Sequence, residues 1–103
     1  MSDDPYRKLV LDECADDYTG LWQVVADLKE GSGGAIGESG VLDLLHGLLA
    51  EGLIVAGFPT RDGRGFEPWP DSPEEAIDRI RTEWRQLGRD PGIGEIVWFN
   101  ATS

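Results

Sequence analysis

Residues 40–58, GVLDLLHGLLAEGLIVAGF, decide how this chain folds. Val41, Leu42, Leu44, Leu45, Leu48 and Leu49 recur at about 100° per residue, so the run predicts a helix from about 39 to 51 with one broad apolar side. Asp43, His46, Gly47 and Ala50 occupy its remaining face. Gly52 supplies the stop that a left-handed residue gives a helix. Residues 53–58 follow with adjacent β-branched Ile54 and Val55, which suit a pleated, half-buried surface. A helix and a strand joined through one glycine imply a mixed α and β architecture. The same run contains no Lys or Arg.

Downstream, Pro59 to Gly65 reads as a loop, with Asp62-Gly63 as a turn signal. Residues 66–69 return as a short strand that Pro68 confines to a sheet edge. Ser72-Pro73-Glu74-Glu75 is a capping box with proline at the first helical position. Ile77, Ile80, Trp84 and Leu87 then trace an amphipathic helix that Gly88 ends. Its outer face interleaves Glu74, Glu75 and Asp78 with Arg79, Arg81, Arg85 and Arg89, and the spacing predicts Glu75–Arg79 and Asp78–Arg81 pairs. After the turn at Asp90-Pro91-Gly92, residues 95–99 have strand composition and are expected beside residues 53–58.

Upstream, Asp4 and Pro5 announce a first helix that reaches about Asp12 or Cys14. A second helix begins near Thr19 and carries Leu21, Trp22, Val25 and Leu28 on one side, with Gly31 as its stop. Residues 31–40 form a glycine-rich connection. These glycines follow a helix rather than a strand, and no Lys with a following Ser or Thr succeeds them, so they lack the form of a phosphate cradle.

A chain of 103 residues supports one modest core and hence one domain, spanning 1–103. Four Trp, three Phe and two Tyr within a 40% apolar composition suffice for that core. Twenty acidic against nine basic residues give a net charge of −11. The first 51 residues hold eleven Asp or Glu and only Arg7, Lys8 and Lys29 as cations. Nucleic-acid affinity comes largely from cations that displace counterions from phosphates, so this balance argues against a nucleic-acid partner and for a basic protein. No basic start followed by an apolar run opens the chain, and nothing approaches the ~20 apolar residues of a membrane span. A lone cysteine, Cys14, has no intramolecular disulfide partner. The expectation is a cytoplasmic protein with no membrane contact.

Residues 44–55, LLHGLLAEGLIV, resemble the helix-to-wing junction of winged-helix proteins, in which a leucine-rich recognition helix ends in Glu-Gly-Leu-Ile. The resemblance covers about residues 39–69. It implies an α+β, winged-helix-like domain of about four helices with a small antiparallel sheet of two or three strands. The groove-facing positions carry Asp43 and His46, where base and phosphate reading wants Arg, Lys, Asn or Gln.

No nucleophile with a base and no spaced metal ligands appear, so the chain is read as a non-enzyme with no catalytic residues, metal or cofactor. His46 and Asp43, three residues apart on one helix, are expected to form an ion pair. The candidate protein-binding residues are Asp12, Glu13, Asp16, Asp17 and Asp43, joined by Trp69 from an aromatic set that includes Phe58, Phe66, Trp98 and Phe99. Their partner is a basic protein or a second copy of the chain. Acidic single-domain inhibitors, immunity proteins against nucleases among them, are similar in charge and size. The alternative is a nucleic-acid-binding regulator that uses Arg61 and Arg64 at the wing tip.

Overall fold

The computed structural model describes residues 5–62, 65–92 and 95–102. In chain order the elements are helix α1 (Pro5–Asp16), strand β1 (Thr19–Gly20), helices α2 (Leu21–Gly31) and α3 (Glu38–Ala50), strands β2 (Ile54–Pro59) and β3 (Phe66–Pro68), helix α4 (Pro73–Leu87) and strand β4 (Trp98–Ala101). All strand pairs are antiparallel, in the spatial order β1-β4-β2-β3. The domain is α+β, with four helices and a four-stranded sheet among the described residues.

The decisive stretch behaves as its pattern requires. Val41, Leu42, Leu45 and Leu48 are buried along α3. The helix ends in a paired reverse bond: the Leu53 N–H donates to Leu48 O and the Gly52 N–H to Leu49 O. Gly52 holds φ 73°, which the motif demands and a side chain disfavours. The chain is thereby turned directly into β2, where Ile54 and Ala56 point into the core.

β4 is one of the two interior strands, between β1 and β2. Its Phe99 pairs with Thr19 on one side and Ala56 on the other, so the C-terminal strand does lie beside β2, but it spans Trp98–Ala101 and starts three residues later than the composition of residues 95–99 predicts, with Ile96 ahead of it at φ 71°. Alternation along β4 buries Phe99 and leaves Trp98 and Asn100 half-buried on the other face. The strand count is four rather than two or three. The unexpected strand, β1, covers two residues that the helical pattern assigned to the start of α2. Its pairing to Phe99 and Trp98 is a tertiary contact, and the Leu21 N–H at the start of α2 donates to Val97 O. β3 lies at the opposite edge with Pro68 in it, as expected. There the β3 backbone crosses so close to Gly57 that a Cβ on Gly57 would fall 2.1 Å from Glu67 O.

α1 runs to Asp16, longer than its apolar spacing predicts, and buries Val10 and Cys14. Burial pushes the Cys14 thiol up to about 11, so it behaves as a small apolar side chain rather than a reactive one. The expected N-cap Asp4 lies outside the described residues. α2 buries Leu21, Val24, Val25 and Leu28.

α4 packs on α3 through Ala76, Ile77, Ile80 and Trp84. Both capping-box bonds form: the Glu75 N–H donates to Ser72 Oγ at 3.2 Å and the Ser72 N–H to Glu75 Oε1 at 3.0 Å. Gly88 closes the helix at φ 69°. No described helix is long and apolar enough to cross a membrane.

Candidate protein-binding surface

The acidic residues of the first half separate into distinct environments. Asp12, Asp16 and Asp17 are exposed on the last turns of α1 and just beyond it. Asp12 accepts from Lys8 Nζ at 3.2 Å, a solvent-exposed pair of little energetic weight. Asp17 Oδ1 accepts from the Tyr18 N–H at 2.7 Å, which shapes the turn into β1. Glu13 is instead half-buried and faces Asp27 and Gln23 of α2, so it belongs to a helix seam more than to the surface. That correction follows from helix geometry: Glu13 lies next to the buried Cys14 and three residues after the buried Val10.

Asp43 is exposed on α3, where it shares a shallow groove of about 210 Å³ with His46, Glu74, Ile77, Asp78 and Arg81. The expected Asp43–His46 ion pair is not formed; the two side chains line the groove without meeting. No group of three or more His, Cys, Asp or Glu among the described residues is placed to hold a metal ion. Trp69 is half-buried, with the Arg79 guanidinium 3.9 Å from its ring centroid and Phe58 at 6.2 Å, so much of its ring is already covered by the chain's own residues.

The remaining aromatics also find partners within the fold. Trp98 stands edge-on to Trp22 at 4.7 Å, Phe66 lies 5.2 Å from Tyr18, and Phe99 is fully buried. Phe58 is the aromatic left most open, at 38% exposure, and Leu53 is comparable at 37%. Arg61 is exposed in the β2–β3 loop, and Arg64 lies outside the described residues.

The ion pairs set the character of the surface. Arg7 pairs with Glu51, Lys8 with Asp12, Lys29 with Asp90, Arg81 with Asp78, Arg85 with Glu38 and Arg89 with Glu95. Arg79 reaches Asp71 at 3.4 Å and Glu83 at 3.5 Å. It does not take the expected Glu75, whose carboxylate is turned back onto the Ser72 N–H. Among the described residues Arg61 alone of the Lys and Arg lacks an ion pair, whereas acids without one occur in both halves: Glu13, Asp16, Asp17, Asp27, Glu30 and Asp43, then Glu67, Glu74 and Glu75.

Three contributing residues carry no signal in the sequence for the contacts they make. Asp27 and Gln23 meet Glu13 only through the packing of α1 on α2, and Arg79 reaches Trp69 only once α4 has docked. The helical spacing of Asp27 and Gln23 on α2 was the available signal, but it does not reveal which neighbour they face. Comparisons of this chain with protein-family models, curated proteins and solved structures find no match.

Proposed function

We propose that this chain is a protein-binding domain that receives a basic partner on its acidic first half, centred on the end of α1 and the adjoining carboxylates. The observation that carries this reading is the ion-pair pattern. The chain consumes its own described cations internally, Arg61 excepted, and leaves Asp16, Asp17 and Asp43 without counter-charges. A field of this kind accelerates encounter with a positive surface and disfavours polyanions. The role is that of a binder, as in an inhibitor of a basic protein, rather than of a catalyst.

The arrangement that presents these residues is, in this reading, winged-helix-like. Support comes from the order of α1, β1, α2, α3 and β2, and from β4 lying between β1 and β2. β3 and α4 then form an insertion ahead of the last strand. The helix that would enter a DNA groove carries Asp43 and His46 there, consistent with a fold turned to protein contact.

The test combines affinity capture from nuclease-treated native lysate with charge neutralisation. Wild-type protein is expected to retain a basic protein in stoichiometric amount. The Asp16→Asn, Asp17→Asn, Asp43→Asn variant is expected to bind that protein at least about tenfold more weakly, with the wild-type affinity falling as salt rises. Unchanged affinity in the triple variant would overturn the acidic surface. In a parallel capture without nuclease, retention of nucleic acid that Arg61→Ala with Arg64→Ala abolishes would replace the reading with the wing-tip regulator.

A further inference from the structure

The seam between α1 and α2 holds two carboxyl groups in an arrangement that full ionisation leaves unsatisfied. Glu13 projects from α1 and Asp27 from α2, and each side chain buries one oxygen, Glu13 Oε2 and Asp27 Oδ2, that meets no donor. They are the buried side-chain oxygen and nitrogen atoms without a hydrogen-bond partner among the described residues. A buried acceptor without a donor is costly, and two facing carboxylates add mutual repulsion. One proton removes both penalties, because a protonated carboxyl gains an O–H that its neighbour can accept.

We propose that Glu13 and Asp27 share a single proton, and that this proton fastens α1 to α2 in a pH-sensitive clasp. Among the described residues no cation of these two helices is left over to do the same work. Arg7, Lys8 and Lys29, the cations of these two helices, are engaged by Glu51, Asp12 and Asp90. From α2, Gln23 is the one further polar group that acts on Glu13, and it favours the ionised form. Among the other elements packed on α1, β4 carries no ionisable side chain in Trp98–Ala101. On α3, Glu38 is tied to Arg85, and Asp43 and His46 line the groove against α4. Asp12, Asp16 and Asp17 on and beside α1 are exposed, and the adjacent Cys14 thiol is neutral in this range. Burial first, and then the bond to Asp27 and its negative charge, push Glu13 up to about 7 from its ordinary 4.5.

The direction of the pH dependence follows. A carboxyl whose value is raised in the folded state stabilises the fold fully below its unfolded value. That contribution is lost as pH rises through the folded value, here over the window from 4.5 to about 7. The clasp is closed in mild acid and open in mild alkali.

The test is a ¹³C NMR titration of the side-chain carboxyls of the full chain, together with urea unfolding at pH 5 and pH 8. Glu13 Cδ is expected to titrate near neutrality, and Asp27→Asn to move its midpoint down. The folding equilibrium constant is expected to fall at least about tenfold from pH 5 to pH 8, and Glu13→Gln, which keeps a donor toward Asp27, to abolish most of that fall. A Glu13 midpoint in the ordinary carboxylate range, or one that Asp27→Asn leaves in place, would overturn the shared proton. The titration requires no variant at position 13, so it decides the matter even if Glu13→Gln fails to fold.

Discussion

Glu13 in the α1–α2 seam and Glu75 at the start of α4 are the same side chain placed under opposite demands. Glu75 is fully exposed and accepts the Ser72 N–H, which holds its carboxyl below the usual range. Glu13 is drawn into a seam beside another carboxyl, which pushes it up. α4 and its flanks thus use charge locally: caps, the Arg81–Asp78 pair and the clamp in which Glu95 accepts from Arg89 at 2.7 and 2.9 Å. The α1 region concentrates carboxylates beyond the reach of enough cations. One chain therefore contains a region whose charges are largely met locally and a region with a larger acidic surplus.

The comparison is broken most forcefully by removing what actually holds α4. If its buried face rather than its charges fixes it, Trp84→Ala costs about 3–5 kcal/mol, read by urea unfolding. A loss below about 1 kcal/mol would show that the paired charges dominate instead. Ser72→Ala is expected to cost about 1 kcal/mol, since it frees the Glu75 N–H and dismantles half of the capping box. Smallest, Arg81→Ala should change stability by no more than about 0.5 kcal/mol, because its pair with Asp78 is exposed and three residues apart on one helix.

A stability profile against pH sharpens the same contrast. The Arg7 hydrogen bond lowers Glu51, the Ser72 backbone lowers Glu75, and Arg89 followed by the Gly92 N–H lowers Glu95. Groups lowered in this way stabilise the fold above their unfolded values, and the contribution disappears as pH falls through the folded ones. Stability is therefore expected to decline on acidification below about 4 through these three, and on alkalinisation from 4.5 to about 7 through Glu13. Arg89→Ala should flatten part of the acid limb and leave the other limb unchanged. If both limbs respond to the same substitution, the two regions are one electrostatic unit.

Legibility from sequence divides along the same boundary. α4 was readable almost to the residue because its signals are local: a capping box, a proline at the first position, apolar spacing and a terminal glycine. The α3–β2 junction was readable for the same reason. β1 was not, since two residues become a strand only when the last strand arrives to pair with them. On the candidate surface, Asp12, Asp16, Asp17 and Asp43 are exposed acids, as charge patterning implies. Glu13 sits in the same run, yet its environment depends on Asp27, fourteen positions away on another helix. The Glu75–Arg79 pair shows the converse, in which a favourable spacing yields to a nearer backbone donor, the Ser72 N–H.

The position of β4 between β1 and β2 has a consequence for the order in which this domain is made. Synthesis delivers β1 and β2 long before residues 98–101, and neither has its central neighbour until those residues clear the ribosome. The helical layer gathers early through contacts close in sequence, whereas closure of the sheet waits on pairings as distant as Thr19 with Phe99. Until then β1 and β2 each lack a partner along one edge, the kind of edge on which another strand can pair.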